Sequence, residues 1–443
     1  MDLPKSKTYN LAIVGGGILG TTLAYWLATI YETGGIVVIE KENDTGLHAT
    51  KRNTGVVHRP FYLDPEKKKI FARSALLSFP LWEKYASLKQ LPWVKRGTLE
   101  VALNEADLLT LKKYQKWSAE NGMDEKEIEL LDSAEAKKME PNIECRGAFF
   151  CKTDVATDFY ALTKSLRSDA ENDGVEFLLE CEVKKIKKTG GCLDLALANG
   201  KNLSAKYVLN CAGGQAVKIA HLLGVARDLT DLNFRGEYWI VDPARAGLAN
   251  HNIYSVPRHS EFPFLDPHWI SRWDDQVEIG PTAVPVLGPY AYKGFFENPL
   301  SGLKKVFEMP LANKIKLMMN HEFLRLALEE WQSSFFKEAM VRRVRKFLPG
   351  VKPEYLTKKG SAGIRSPVID RQGKFVKEAL EIFGHRSFHV LNFNSPGATG
   401  APAYTAHLIK KLRENHCLDH LKIGESNRTG IWDFARVASQ FSP

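Results

Sequence analysis

The stretch from Thr8 to Glu40 constrains the fold of this 443-residue chain more than any other. An apolar run, Leu11–Val14, predicts a buried strand. Glycines at G-x-G-x-x-G spacing follow, and then an apolar run, Ile18–Ile30, that predicts a helix. A second apolar run, Ile36–Ile39, leads into Glu40. This order is typical of the βαβ unit whose helix N-terminus binds a pyrophosphate.

The three glycines and the acid of this unit each have a physical role. Gly15 allows the tight turn, Gly17 lets a pyrophosphate approach the backbone, and Gly20 lets the helix pack closely on the strand. Glu40 stands at the distance from the glycines at which an acid accepts hydrogen bonds from ribose hydroxyls. The motif fits FAD and NAD equally well, so the rest of the chain must decide between them.

Composition limits the class of protein. The chain exceeds the usual size of a single core, so two lobes are expected. Six cysteines lack C-x-x-C spacing, which predicts neither a metal site nor a disulfide framework and fits a reducing, cytoplasmic location. No uncharged run is long enough to span a membrane, and the short polar N-terminus leaves no room for a signal peptide.

The chain is basic, with a formal net charge of +9. This excess favours acidic substrates or an anionic membrane surface, although a solvated lysine-rich surface explains it as well. Nucleic-acid binding would need a basic stripe with interleaved aromatics or a known module, and the sequence has neither.

A second strand, glycine-rich loop and helix occur near the end of the chain, at Phe388–Phe393, Asn394–Gly400 and Ala401–Leu412. Between the two units, Lys206–Gly214 reads as a buried strand that ends in small residues. Strands from the start, middle and end of the chain would share one parallel sheet. Such a discontinuous arrangement is typical of FAD enzymes and unlike a nicotinamide dehydrogenase with one contiguous Rossmann half.

We therefore predict an α/β, two-lobed fold. A Rossmann-like FAD-binding domain, discontinuous in sequence, is expected from residues 1–90, 151–225 and 355–425. A mostly antiparallel β-sheet substrate domain flanked by helices is expected from residues 91–150 and 226–354, because 235–284 alternates in the manner of antiparallel strands. Residues 426–443 form a C-terminal tail.

Six segments match motifs of a known family. These are Asn53–His58 (N-S-G-V-I-H in the family), Phe234–Tyr238 (F-R-G-E-Y), Pro263–Leu265 with His268 (P-F-L-G-x-H), Ile279–Val284 (G-P-N-A-V), Ala362–Arg365 (A-G-V-R), and His389–Asn392 with Ser395-Pro396 (H-V-x-N-A-P-S-P). Through them the chain, from about Tyr9 to Leu412, resembles the D-amino-acid-oxidase-like FAD oxidoreductases. Within these it is most similar to the L-2-hydroxyglutarate dehydrogenase/oxidase family.

The resemblance implies an FAD enzyme that takes a hydride from C2 of an L-2-hydroxy acid and gives a 2-oxo acid. L-2-hydroxyglutarate is the leading substrate, and a quinone or another acceptor would receive the electrons. Malate, glycerol 3-phosphate and amino acids are rival substrates of the same fold, and a tRNA-modifying flavoprotein is the rival from another class. The chain departs from the family at Arg59, at Asp266-Pro267 and at Pro396-Gly397, and the first two changes leave the substrate open.

Two histidines are candidates for the base that removes the hydroxyl proton, because histidine titrates near neutral pH. His58 is the first choice, since the family places its segment against the flavin; a structural role or covalent flavin attachment are the alternatives. His268 is expected to be a second candidate base, a carboxylate ligand or a structural histidine.

A carboxylate substrate needs a cation, and arginine can bind it through two hydrogen bonds. Arg365 is the first candidate, by its position in the A-G-V-R-like motif. Arg272 follows His268 by four residues and would share its face of a strand, and Arg59 could bind a second acidic group. Tyr238 is expected to line the pocket or to lie in the core. Arg235 and Glu237 are expected to form a structural ion pair.

The predicted cofactor contacts fall into groups along the chain. They are expected to place backbone groups near the phosphates and the flavin, and polar side chains near the ribose and adenine. The residues are Gly15, Gly17, Ile18, Leu19, Gly20, Glu40, Lys41, Thr50, Asn53, Thr54, Gly55, Val183, Cys211, Ala212, Gly213, Gly363, Arg365, Pro396, Gly397, Ala398, Thr399 and Gly400. Cys211 is expected to pack rather than react. The Lys- and Met-rich helical segment 297–347 could bind a membrane surface, which would make the protein peripheral to the inner face of the membrane. Alternatively, the segment packs in the ordinary way, with its lysines in solvent.

Overall fold

The computed structural model describes residues 7–258, 262, 266–294, 297, 299–424 and 430–441. Within these residues the chain forms strands β1–β24 and α-helices α1–α12, numbered in chain order. The strands are Thr8–Val14, Ile36–Ile39, Val56–Val57, Trp93–Lys95, Thr98–Ala102, Ile128–Asp132, Gly147–Cys151, Val155–Thr157, Glu176–Leu178, Val183–Thr189, Cys192–Leu197, Asn202–Asn210, Thr230–Asp231, Asn233–Gly236, Trp239–Val241, Asn252–Ser255, His268–Ser271, Val277–Gly280, Val284–Val286, Leu356–Lys359, Gly363–Arg365, Val368–Ile369, Leu380–Gly384 and Ser387–Leu391. The helices are Ile18–Ile30, Lys69–Lys89, Glu105–Glu120, Ser133–Met139, Phe159–Asn172, Ala216–Leu222, Pro299–Val306, Leu311–Met318, His321–Phe335, Lys337–Val344, Gly397–Glu414 and Phe434–Ser439.

The first large sheet is parallel at its centre. Strands β24, β12, β1, β2 and β9 run parallel to one another, and they come from the beginning, middle and end of the chain. Ala12 of β1 lies between Val208 of β12 and Val37 of β2. Strands β10 and β11 extend the sheet in antiparallel fashion, and β23 pairs with β24. The strand β2 is wholly buried, as expected for a parallel strand that is covered on both faces.

Helices cover one face of this sheet and form the main core. Helix α1 packs against α5 and α11, and α11 packs against α2. The C-terminal tail closes this core, because Trp432 is buried with its ring 4.9 Å from that of Tyr25 and 5.3 Å from that of Trp26. Its indole nitrogen donates to the Leu81 carbonyl at 2.8 Å. The described part of the tail, residues 430–441, is therefore an integral part of the helical layer.

The second large sheet has the order β20-β15-β18-β17-β16-β5-β7-β6 and is antiparallel except where β16 meets β5. Helix α10 supplies Met340, Val341 and Val344 to the core beneath it. The remaining strands form three smaller sheets, β3-β8-β4, β19-β14-β21 and β13-β22. The α/β architecture predicted from the sequence is confirmed.

Some elements differ in detail from the sequence pattern. The sequence predicts one strand over residues 93–103, whereas the structure has two, β4 and β5, because Gly97 adopts a φ of +64° between them. Helix α11 begins at Gly397, before the predicted start at Ala401. The lysine-rich β10 lacks the apolar alternation that would have predicted it. Pro263–Leu265, one of the motif segments, lies outside the described residues. Among the helices described, none is long and apolar enough to cross a membrane.

Candidate active site

A cavity of about 350 Å³ opens at the carboxyl ends of β1, β2, β12 and β24. This is where parallel α/β sheets bind their ligands. One end, which we call the glutamate end, is formed by Glu40, Lys41 and Val183. The other, the histidine end, is formed by His58, Tyr238 and Arg365.

The first glycine-rich loop shapes the middle of the cavity. Gly15 has a φ of +108°, and a Cβ there would lie 2.5 Å from the Cys211 carbonyl oxygen. A Cβ on Gly20 would collide with the Gly15 carbonyl, so this glycine allows the helix to pack on the loop. A Cβ on Gly17 would meet only the Thr50 hydroxyl, at 3.6 Å, and would otherwise project into open space. Gly17 thus leaves room for a phosphate beside the N-terminus of α1.

The carboxylate of Glu40 is held in place by backbone amides. Its Oε2 accepts from the Gly16 N–H at 2.8 Å, and its Oε1 accepts from the Glu42 N–H at 2.9 Å. Burial raises the pKa of Glu40. A carboxylate can accept more than two hydrogen bonds, so its remaining lone pairs can receive ribose hydroxyls.

The N-terminus of α11 forms another wall. Gly397, Ala398 and Thr399 line the cavity there. The Thr399 hydroxyl accepts from the His58 backbone N–H at 3.3 Å and donates to the Val56 carbonyl at 3.5 Å. These bonds join the second glycine-rich unit to the segment that carries the candidate base.

Most of the predicted cofactor contacts line this one cavity. The residues that do so are Gly15, Gly17, Ile18, Leu19, Glu40, Lys41, Thr50, Asn53, Thr54, Val183, Cys211, Ala212, Gly213, Gly363, Arg365, Pro396, Gly397, Ala398 and Thr399. Gly20, Gly55 and Gly400 are not in the lining and pack against other parts of the chain. Two helix N-termini, an acid after β2 and glycines that leave the backbone bare fit a dinucleotide such as FAD.

At the histidine end, His58 pairs with a buried carboxylate. Its Nδ1 lies 2.8 Å from Oδ2 of Asp154, whose side chain is fully buried. Because a carboxylate only accepts, Nδ1 carries the proton and donates it, and Nε2 is left with a free lone pair in the neutral ring. The Tyr254 hydroxyl lies 3.5 Å from this Nε2.

Asp154 is oriented by three further donors. Its oxygens accept from the Arg59 N–H at 2.7 Å, the Thr98 hydroxyl at 2.8 Å and the Cys151 thiol at 3.4 Å. Sequence reasoning did not single out Asp154, which carries no motif. The pairing of Asp154 with His58 follows from the register of β3 and β8. Val57 pairs with Val155, so the next residues outward, His58 and Asp154, face each other.

His268 lies in a layer behind the cavity. Its ring stacks on Tyr254 with centroids 4.1 Å apart, and its Nδ1 lies 3.1 Å from the Asp266 carbonyl. Burial lowers the pKa of His268 to about 3, so the ring is neutral at ordinary pH. Neither His268 nor Tyr254 lines the cavity. Tyr254, which sequence reasoning missed, stands between His268 and His58.

Arg365 and Tyr238 both line the histidine end. Arg365 ends β21, where it pairs with Phe234 of β14. Burial lowers the pKa of Arg365, although arginine stays protonated in proteins. Burial also raises the pKa of Tyr238 above its ordinary value, so the phenol stays neutral.

The other two candidate arginines point elsewhere. Nε and Nη2 of Arg59 donate to the Glu127 carboxylate at 2.8–3.2 Å. The guanidinium group also lies over the Phe79 ring. Arg272 bonds to Glu278 at 2.5 and 2.8 Å and to the Asn53 carbonyl at 2.9 Å. Neither lines the cavity. A neighbouring acid, which sequence could not locate, holds each of them outside it.

Two predicted structural features are present. Nε of Arg235 lies 3.2 Å from Oε1 of Glu237, which is also 3.0 Å from Nζ of Lys359. Cys211 is buried at the end of β12, and burial raises the pKa of its thiol, which disfavours the reactive thiolate.

The glycine loop at the end of β1, the acid after β2 and the second helix N-terminus define a class of flavoproteins with a discontinuous dinucleotide-binding domain. Comparison with known proteins agrees: residues 10–412 match the DAO family, FAD dependent oxidoreductase. The chain belongs to this family, its cofactor is FAD and it is an oxidoreductase.

Curated relatives extend over nearly the whole chain. A mitochondrial L-2-hydroxyglutarate dehydrogenase of Mus musculus is 30% identical, with 90% of this chain and 88% of the relative covered. An L-2-hydroxyglutarate dehydrogenase of Salmonella houtenae is 28% identical, with 91% and 93% covered. The family resemblance predicted from the sequence is confirmed.

Among solved structures, the fold is similar to that of L-alpha-glycerophosphate oxidase from Mycoplasma pneumoniae with FAD bound. The TM-score is 0.73 at 20% identity, and 96% of this chain and 98% of that chain are covered. Glycine oxidase from Geobacillus kaustophilus gives a TM-score of 0.66 at 16% identity, with 92% and 95% covered. These likenesses concern the fold.

Proposed function

We propose that this protein oxidises an L-2-hydroxy acid, with L-2-hydroxyglutarate as the leading substrate, to the 2-oxo acid. The observation that carries the proposal is the pairing of His58 with Asp154 in the same cavity end as Arg365. The names of the relatives, which share 26–30% identity across about nine-tenths of the chain, support the choice of substrate.

His58 acts as the base. With Nδ1 donating to Asp154, its Nε2 can take the proton of the substrate hydroxyl while C2 loses a hydride. Asp154 then stabilises the positive charge that forms on the ring, as an oriented carboxylate does in other catalytic pairs. FAD, when bound, supplies the acceptor for the hydride equivalent.

Arg365 binds the substrate carboxylate. A cation that is buried away from water gains more from an anionic ligand than an exposed one does. Its planar guanidinium can give two parallel hydrogen bonds, which fixes C2 relative to the base. Tyr238 closes the same wall and keeps water from the reacting carbon.

Anaerobic reduction of the flavin tests the proposal. The FAD-loaded protein is mixed in turn with L-2-hydroxyglutarate, L-malate, glycerol 3-phosphate and several amino acids, and the flavin absorbance is followed. We expect fast bleaching by L-2-hydroxyglutarate alone, and Arg365→Met should weaken its apparent binding by about 10- to 100-fold, the loss of one charged hydrogen-bonded pair. Bleaching only by glycerol 3-phosphate or an amino acid would reject L-2-hydroxyglutarate and make that compound the substrate.

The electrons pass to a quinone or another acceptor, and the protein contacts a membrane from the cytoplasmic side. Support comes from three neighbouring helices that expose apolar side chains three, four or seven residues apart: Leu300, Leu303 and Phe307 in or after α7, Ile315, Met318 and Met319 in or after α8, and Leu324 and Leu328 in α9. Exposed lysines, Lys304 and Lys316, adjoin them. Apolar stripes beside cations suit an anionic lipid surface.

Co-sedimentation with phosphatidylglycerol vesicles checks the membrane contact. Binding should fall when Met319 and Leu328 are both changed to Ser, and should weaken at high salt. If this double variant co-sedimented as well as the unchanged protein, these helices would not be the membrane-binding surface.

A further inference from the structure

A second cavity, of about 510 Å³, lies beside the first and plays no part in the chemistry proposed above. Its lining includes Arg235, Glu237, Trp331, Ser334, Phe335 and Lys359. Its size is within the range of pockets that bind small molecules.

The two cavities lie on opposite faces of one strand. Along Phe234–Tyr238, the segment that begins in β14, Phe234, Gly236 and Tyr238 line the first cavity, and Arg235 and Glu237 line the second. This alternation is that of a β-strand, whose successive side chains point to opposite faces. A single layer of chain therefore separates the second cavity from the histidine end.

One wall of the second cavity is aromatic. Trp331 and Phe335, one turn apart on α9, stack with centroids 5.5 Å apart and an interplanar angle of 26°. Phe335 is 63% exposed. Trp331 beside it is half-buried and packs against the cluster of Val284, Val286, Ala291 and Ile364. An exposed ring held beside a fixed indole at a cavity wall offers a flat surface on which a planar ring can stack.

The remainder of the lining is polar and mildly cationic. Glu237 is bonded by Ser334 and approached by Lys359 at 3.0 Å and by Arg235 at 3.2 Å, so two cations share one carboxylate. The excess of positive charge favours a ligand with oxygen acceptors, and the donors are at hand for carbonyl groups.

The aromatic wall continues into an apolar surface. Leu324 and Leu328, which precede Trp331 and Phe335 on α9, are also exposed. Positions four and seven residues apart share one side of a helix, so Leu324, Leu328 and Phe335 form one stripe that ends at the cavity. A ligand with an apolar tail could lie along it.

We propose that this second cavity binds the planar ring of a quinone, stacked on Trp331 and Phe335, with its carbonyl oxygens toward Lys359 and its tail along α9. The inference rests on the proposed function, in which the substrate loses two electrons and two protons, from C2–H and the hydroxyl. The quinone takes up two electrons and two protons and becomes the hydroquinone. Only one layer of chain separates the two cavities, and so short a separation suits electron transfer from the first cavity to a quinone in the second.

The test compares two adjacent phenylalanines. Phe335→Ala removes half of the stacking surface, whereas Phe336→Ala removes an equally exposed ring, at 60%, that does not line the cavity. Decylubiquinone is titrated into the FAD-loaded protein, and quenching of tryptophan fluorescence gives its dissociation constant. Trp331→Phe identifies the part of the signal that arises in the cavity.

We expect Phe335→Ala to weaken decylubiquinone binding, and to raise the KM for it as electron acceptor, about 10-fold, which corresponds to about 1.4 kcal/mol. Phe336→Ala should leave both unchanged, and substrate bleaching of the flavin should be normal in both variants. Equal effects of the two changes, or no quinone binding by the unmodified protein, would overturn the proposal that the second cavity binds a quinone. Quinone binding that depends on Phe335, without bleaching by any hydroxy acid, would instead reject the proposed function and keep the site.

Discussion

The two ends of the main cavity are built in different ways. The glutamate end is made largely of backbone: the glycine loop after β1, the amides that hold Glu40, and the chain around Val183. The histidine end is made of side chains from separate segments, namely His58, Tyr238 and Arg365. Two further segments supply Asp154 and Tyr254, which contact His58 from behind the cavity wall.

This difference follows from what each end must recognise. A pyrophosphate and a ribose are common to all dinucleotides, and bare amides at a helix N-terminus suffice for them. A reacting carbon needs a base and a cation at fixed positions, which only side chains supply. We therefore expect changes at the two ends to separate cofactor binding from chemistry.

The largest effect is expected at the base. His58→Asn keeps a polar side chain but removes the titrating nitrogen, so substrate reduction of the flavin should slow by about 10²- to 10⁴-fold. FAD absorbance and content should be unchanged. Stopped-flow absorbance under anaerobic conditions measures the rate. A variant that bleached at the normal rate would show that another group takes the proton.

Asp154→Asn is the companion change. The amide no longer attracts the Nδ1 proton or stabilises the charged ring, so the limiting rate of bleaching should fall by about 10- to 100-fold, as for other residues that orient a functional histidine. The substrate concentration at half-maximal rate should hardly change. A loss of FAD together with the rate would instead make Asp154 a structural residue.

An intermediate effect is expected at the glycine loop. Gly17→Val would project a branched side chain into the space beside Thr50, and FAD affinity should fall by about 10- to 100-fold, or about 1.4–2.8 kcal/mol. Gly34→Val is the matched control, because a Cβ there meets nothing within 4 Å. Titration of the apoprotein with FAD measures both. Equal FAD affinity in the two variants would contradict the assignment of the loop.

The sequence predicted the glutamate end better than the histidine end for the same physical reason. Gly15, Gly17, Gly20 and Glu40 lie within one βαβ unit, where local spacing fixes their relative positions. The centre of the parallel sheet also followed from local patterns, since β1, β2 and β24 contain short buried apolar runs between turns.

Asp154 and Tyr254 could not be found in that way. Asp154 reaches His58 through the pairing of β3 with β8, and Tyr254 reaches it from β16. Long-range pairing of this kind leaves no local mark in a single sequence. His268 is the opposite case: a motif position directed attention to a residue that the fold places behind Tyr254. Of the three roles expected for it, this position favours the structural one.

The smallest effect on activity is expected at Arg59, which adjoins His58 in sequence but points to Glu127. Arg59→Met leaves the backbone N–H that Asp154 accepts, so flavin reduction should stay within about twofold, a difference of about 0.4 kcal/mol. The free energy of unfolding should fall by about 1–3 kcal/mol, because a largely buried charged pair is broken.

Urea unfolding of the FAD-loaded protein measures this loss, and Lys116→Met is the control. Lys116 and Glu120 form an exposed pair on one helix, 3.5 Å apart, which contributes only about 0.3–0.5 kcal/mol. If Arg59→Met slowed bleaching severely and left stability intact, the guanidinium would have to leave Glu127 when substrate binds. The histidine end would then contain two arginines, as a substrate with two carboxylates would favour.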